Sequence, residues 1–187
     1  MEFLYDHTST RISFRRVGKE DLEDLAALKN ESWYGTHRLS LVSESSQARW
    51  LEVLDAEDVH TPRNLVLAAV RIFPAPTTAT KAGVQTFGVF KILNLDWQSR
   101  RAEVGWDVYK PFRNRGLGKK LVKAGEDFCF EVLNLHRLDA QILQTNEASR
   151  KCAEAAGFAK EGQQKEAILR QGKWVDNILY GILCPWS

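Results

Sequence analysis

Residues 108–125 read VYKPFRNRGLGKKLVKAG. A strand-like run ends at Tyr109-Lys110-Pro111, and a helical pattern begins near Gly116. Between them Arg113, Arg115, Lys119 and Lys120 surround Gly116 and Gly118. The start of a helix exposes unpaired N–H groups and carries about half a positive charge. Glycine lets the backbone adopt φ > 0 and approach a ligand closely. Two readings follow. The segment is an anion cradle for a phosphate or pyrophosphate, reinforced by Arg113, Arg115 and Lys119, or a tight turn whose basic side chains are solvated. Neither GxxxxGK[ST] nor GxGxxG occurs, so it is neither a P-loop nor a dinucleotide fingerprint.

Working outward, RAEVGWDVY before the turn and TFGVFKILNLDW before that form a strand hairpin with a turn near Gln98-Ser99. After the turn, Leu117, Leu121, Ala124, Phe128 and Val132 recur at helical spacing. RLDAQIL is a strand. NEASRKCAEAAGF is a short helix with Ala148, Cys152 and Ala155 inward, stopped by Gly157. FAKEGQQKEAIL and KWVDNILYGIL make a terminal hairpin about Gln171-Gly172. Upstream, Arg11–Val17 alternates as a strand, residues 18–32 hold a helix, Ser43 opens a second helix, and Asn64–Phe73 is a strand. The fold class is α/β, mixed, with a mainly antiparallel sheet flanked by helices.

The chain has 187 residues, 44% of them hydrophobic, enough for one core and one domain over residues 1–187. Its 26 basic and 24 acidic residues give a net charge of +2, which argues against a nucleic-acid partner. Cys129, Cys152 and Cys184 are far apart with no CxxC, and His7, His37, His60 and His136 have no ligand spacing, so no metal is expected. The N-terminus lacks a basic start followed by an apolar run, and no apolar run approaches the ~18 residues of a membrane span. A soluble, cytoplasmic protein without a membrane partner is expected.

Arg113-Asn114-Arg115-Gly116-Leu117-Gly118 resembles the acyl-coenzyme A motif [QR]-x-x-G-x-[GA] of the GNAT N-acetyltransferase superfamily. RRAEVGWDVYKPFRNRGLGKKLV resembles that family's fourth strand and third helix. LNLHRLDAQILQTNEASRKCAEAAGFAKEG resembles its fifth strand, fourth helix and Gly-Phe turn. GKWVDNILYGIL is similar to the last strand of the branch that acetylates ribosomal-protein N-termini, polyamines and nucleotide amino-sugars, the RimJ/RimL-like branch. The resemblance covers residues 99–183; the N-terminal half fits in element order.

The resemblance implies a GNAT acyl-CoA N-acyltransferase fold with splayed fourth and fifth strands. It implies acetyl-CoA as co-substrate and an acceptor amine on a small molecule or a protein N-terminus. A nucleotide amino-sugar acceptor and a non-catalytic acyl-CoA-binding regulatory module are the alternatives. The chain would act as a monomer or homodimer. The pantetheine arm would pair with the backbone of Trp106, Asp107 and Val108, and the pyrophosphate would lie on the amides of Arg113, Asn114, Arg115, Gly116, Leu117 and Gly118, beside Lys119. Asn146 matches the asparagine that steadies pantetheine, and it is equally a helix N-cap.

The tyrosine acid common in the superfamily, seven residues after that asparagine, is replaced by Ala153. Ser149 matches the serine of the ribosomal-protein branch and is the candidate proton donor to the leaving thiolate, or else a polar first-turn residue. That branch's glutamate falls at Ile168, which leaves Glu103, the preferred base, or Glu166, two residues before Ile168; an ion pair is the other reading of Glu103. The acceptor site would draw on Trp33, Tyr34, His37, Arg38 and Trp50, with Trp174 and Asp176 from the hairpin. Trp33 and Trp50 would otherwise pack the first two helices together.

Overall fold

The computed structural model describes residues 5–7, 12–31, 44–56, 61–73 and 83–186. The N-terminal half supplies β1 (Tyr5–His7), β2 (Ile12–Arg16), α1 (Leu22–Lys29), α2 (Glu44–Asp55), β3 (Leu65–Phe73) and β4 (Gly83–Asp96). The C-terminal half supplies β5 (Arg101–Val108), α3 (Leu117–Asp127), β6 (Arg137–Leu143), α4 (Glu147–Ala156), β7 (Ala159–Arg170) and β8 (Lys173–Leu183). Strand β1 is an addition to the sequence expectation, so the fourth and fifth strands of the resemblance are β5 and β6.

The strands form one sheet in the order β1-β2-β3-β4-β5-β6-β8-β7, and all neighbours are antiparallel except β5 and β6. Parallel neighbours need a crossover, and α3 provides it. The β5–β6 ladder joins only Arg101–Glu103 to Arg137–Asp139. Beyond it β6 stays paired to β8 as far as Leu143, while β5 stays paired to β4 as far as Val108. The sheet therefore opens into a cleft between Val104–Val108 and Ala140–Leu143.

Strand alternation assigns the two faces. Ala102, Val104, Leu138, Ala140 and Ile142 join Leu117, Leu121, Ala124 and Phe128 in one core under α3 and α4. Phe14 lies 6.0 Å from Phe90 and 5.9 Å from Phe128 at its centre, between ring centroids. Val66, Ala68, Val89 and Tyr109 face the opposite way and pack with Leu25, Leu28 and Leu51 of α1 and α2.

Alternation breaks where the ladder shifts between Ala69 and Val70. Ala69 pairs with Gly88 and Val70 with Thr86, so Phe87 is the extra residue of a β-bulge and shares a face with Phe90. Gly88 is required there: a Cβ would lie 2.3 Å from the Asp107 carbonyl oxygen.

Two helical expectations are corrected. Val132 is 38% exposed, because the last turn, Phe128–Val132, widens to π geometry and rotates it off the α3 stripe. In α4 the fully buried residue is Ala153, whereas Ala148 and Ala155 are exposed. The helix is turned so that Ala148 and Cys152 look along the cleft instead.

Candidate active site

The turn after β5 is built from unusual backbone. Asn114 has φ 61° and Gly116, at the N-cap of α3, has φ 72°. Asparagine is among the few side chains that tolerate this region, and glycine meets no steric cost there. A Cβ on Gly116 would meet nothing within 4 Å, so its outer side is open. This places the free N–H groups of an eleven-residue helix at the mouth of the cleft.

Two adjoining cavities occupy the cleft, of about 470 Å³ and about 190 Å³. Trp106, Asp107, Asn146 and Ser149 belong to the walls of both. Val108, Arg113, Asn114, Gly116, Gly118 and Lys119 line the larger one, with Phe112, Ala148 and Cys152 as apolar wall. Arg115 is exposed and lines neither cavity, and the Leu117 side chain is buried in the core, so only its backbone can serve the turn.

The expected role of Arg113 is revised. Its guanidinium forks onto Glu31, just after α1, at 2.6 and 3.0 Å, and its Nε donates to the Val108 carbonyl at 2.8 Å. A bidentate Arg–carboxylate pair fixes geometry as well as charge. Arg113 thus ties α1 to the end of β5, and its side chain supports the turn from behind.

Asn146 caps α4: the Ser149 N–H donates to its Oδ1 at 3.1 Å. Its Nδ2 has no partner among the described residues and is available to a ligand. Cys152 lies where α4 approaches α3; burial raises its thiol pKa, with Lys119 acting weakly against that, so it remains a neutral thiol at ordinary pH.

The two candidate bases lie elsewhere. Glu103 lines a separate cavity of about 650 Å³ on the open face of β6, β8 and β7. Gln141 belongs to the walls of that cavity and of the smaller cleft cavity, and its Nε2 makes a long contact of 3.4 Å with Glu103. Glu103 stands beside an ion-pair network: Arg101 donates to Asp139 at 2.8 Å, and Arg137 joins Asp139 to Glu161. These pairs raise the Arg137 pKa and lock the closed end of the cleft.

Glu166 is displaced by an irregularity in β7. Gln164 pairs with Asn177 but Ile168 with Val175, so β7 carries extra residues, and Glu166 has φ 48°. Counting by twos from Ile168 therefore fails, and Glu166 lines neither cleft cavity.

Asp176 supports this irregular turn. It accepts from the Glu166 N–H at 2.9 Å and from Gln163 Nε2 at 2.6 Å, and these bonds lower its pKa. The expectation that it holds a substrate amine is revised accordingly. Trp174 is 60% exposed and pairs across the hairpin with Leu169, away from the cleft walls. Trp33, Tyr34, His37 and Arg38 lie outside the described residues, as does the side chain of Trp50.

Residues 11–159 match the acetyltransferase (GNAT) domain family. The chain belongs to the GNAT acetyltransferase family. The probable N-acetyltransferase YjcK of Bacillus subtilis is 30% identical over 54% of this chain, a match that spans about half of that relative, 55%. An uncharacterized N-acetyltransferase, p20, of Bacillus licheniformis is 28% identical over 98% of this chain and 97% of its own. Among solved structures, Mycobacterium smegmatis RimJ in complex with CoA-disulfide superposes with a TM-score of 0.76 and 23% identity, covering 94% of this chain and 85% of that one. The fold is therefore common to both. Sequence reasoning missed Lys91, a wall residue of the smaller cavity ion-paired to Asp107 at 2.5 Å. The available signal was a lysine inside the apolar run GVFKIL, facing the strand that carries Asp107.

Proposed function

We propose that this GNAT protein transfers the acetyl group of acetyl-CoA to a primary amine, on a small molecule or a protein N-terminus, by direct attack on the thioester. The observation that carries this reading is the parallel ladder that stops at Glu103 and Asp139, leaving an open cleft with a left-handed, basic turn at its mouth. The donor's diphosphate fits the N–H groups at the start of α3, with Lys119 and Lys151 alongside. The pantetheine arm fits the edge of β5 at Trp106–Val108, which β6 leaves unpaired, with Asn146 Nδ2 as a donor from the other wall.

Ser149 belongs to the walls of both cavities, which supports a role for its hydroxyl as proton donor to the departing thiolate. The acceptor would enter from the α1–α2 side, and Trp33, Tyr34 and His37, between these helices in the sequence, are the residues proposed to contact it. Among the described residues no helix is long and apolar enough to cross a membrane. The reading is tested by isothermal calorimetry with acetyl-CoA, followed by thiol release with peptide N-termini, polyamines, aminoglycosides and nucleotide amino-sugars. Binding with release by at least one amine supports it. Binding without release by any of them makes the chain an acyl-CoA-binding module.

A further inference from the structure

Resting on that reading, we propose that the Asp107 side chain is the catalytic base: it receives the acceptor amine and takes its proton, and Lys91 positions it. In β5 the side chains of Trp106 and Asp107 point to opposite faces. Trp106 packs with the α3–α4 core, its ring 6.2 Å from Phe158. Asp107 stands opposite Val89, on the face that α1 and α2 cover. One residue thus offers its backbone to the donor's edge of the cleft and its carboxylate to the acceptor's face.

The charge of the cleft makes that carboxylate matter. Lys91 and Arg170 line one cavity and Arg113, Lys119 and Lys151 the other; Arg113 is paired to Glu31 and Lys91 to Asp107, and Asp107 is the one acid among the described wall residues. Such a site suits a polyanionic donor and repels a cationic amine unless a carboxylate receives it. Asp107 is only 5% exposed at its side chain, and Lys91 Nζ contacts its Oδ2 at 2.5 Å. A buried ion pair is a weak device for stability, since desolvation offsets the attraction; here it holds the side chain of a residue that, like Ser149, belongs to the walls of both cavities.

There is room for the amine. Lys91 stands across from Gly105 and reaches diagonally to Asp107. Gly105 has the same strand parity as Glu103 and Asp107, and a Cβ there would meet nothing within 4 Å. An unhindered primary amine fits that vacancy, between the base and the unpaired edge of β5.

The neutral amine nitrogen forms a C–N bond to the thioester carbonyl carbon, and the carbonyl π pair moves to oxygen. The N–H proton passes to Asp107. The intermediate collapses, the C–S bond breaks, and the thiolate takes the Ser149 hydroxyl proton. The proton on Asp107 returns to the Ser149 oxygen through solvent. An acceptor that arrives as an ammonium first releases one proton to solvent.

The test uses the full chain and the best amine from the wild-type panel. Asp107→Asn should lower kcat by about 10²–10⁴-fold while the acetyl-CoA Kd stays within about twofold. Gly105→Val should raise acceptor KM by about tenfold or more at unchanged acetyl-CoA Kd. If Asp107→Asn fails to fold because Lys91 is left uncompensated, Asp107→Asn/Lys91→Met removes both charges and is held to the same loss of kcat. A folded variant lacking the carboxylate whose kcat is within about threefold of wild type overturns the inference and leaves acetyl transfer standing. Wild-type protein that binds acetyl-CoA and acetylates no amine overturns both.

Discussion

Gly118→Ala separates helix packing from ligand approach at the turn. An alanine Cβ at 118 would lie 3.0 Å from Cys152 Sγ and 3.9 Å from Val108 Cγ2. Comfortable heavy-atom contacts begin near ~3.5 Å, so about half an ångström or more must be found. Helix α4 has little freedom to yield, because Ala153 is fully buried and Asn146 caps its first turn. The start of α3 must move instead, and the cradle N–H groups move with it. Overpacking of this kind costs ~1–3 kcal/mol, while replacing a helical glycine by alanine returns up to ~1 kcal/mol. The expected net loss is ~1 kcal/mol, a fall in Tm of ~2–4 °C for a chain of this size. Cys152→Ala removes the obstructing atom and leaves the propensity gain, so urea unfolding of the two single variants and the double variant should give a coupling of ~2 kcal/mol, the full overpacking cost. Calorimetry should show acetyl-CoA Kd raised by Gly118→Ala and restored in the double variant. Effects additive within ~0.3 kcal/mol, or a Gly118→Ala protein stabilised by the full helix-propensity gain, would refute the packing argument.

Three further outcomes are expected. Ser149→Ala should lower kcat by about 10²-fold or more with little change in acetyl-CoA affinity; a near-wild-type kcat would leave Ser149 only its place in the first turn of α4. Trp33→Ala, Tyr34→Ala and His37→Ala should each raise acceptor KM and leave acetyl-CoA affinity alone, and normal KM in all three moves the acceptor pocket elsewhere. Tyr109 is 4% exposed, its hydroxyl is buried without a partner among the described residues, and burial with the nearby Asp21 and Asp24 carboxylates pushes its pKa well above the usual tyrosine value. A raised folded pKa gives stability that is intact below the unfolded pKa of ~10 and lost as pH rises beyond it. Tyr109→Phe should therefore be neutral or more stable by up to ~1–2 kcal/mol at neutral pH, with a shallower loss above pH ~10 in urea midpoints; a loss of more than ~1 kcal/mol at neutral pH would show the hydroxyl is bonded.

What the sequence disclosed follows from where the backbone keeps a constant period. Strand β6 was legible as RLDAQIL, and the hairpin turn at Gln171-Gly172 has positive φ at both residues, 48° and 73°. Period arguments fail once a residue is inserted or a helical turn widens: Phe87, Val132 and Glu166 each lie at such a break. Pairings across long separations are a second blind spot. Arg113 and Glu31 are 82 positions apart, so the arginine looked like a phosphate ligand when its partner was a carboxylate.

The same limit applies to the base. Alternation in AEVGWDV puts Glu103 and Asp107 on one face, but read from the sequence Asp107 is only backbone for the pantetheine arm and Glu103 is the base. The distinction comes from the ladder, which pairs β5 with β6 through Glu103 and then stops. Glu103 is left in the closed part of the sheet beside the Arg101–Asp139 and Arg137–Glu161 pairs, four residues before Asp107 at the open part. Around Glu103 the arginines are held by Asp139 and Glu161, and its own contact is the long one to Gln141 in a cavity apart from the cleft. Asp107, held by Lys91 next to the open space at Gly105, is the one acid among the described wall residues of the cleft and is the one placed to hold an amine. The position of the split in the sheet, more than the chemistry of either side chain, decides which acid meets the substrate.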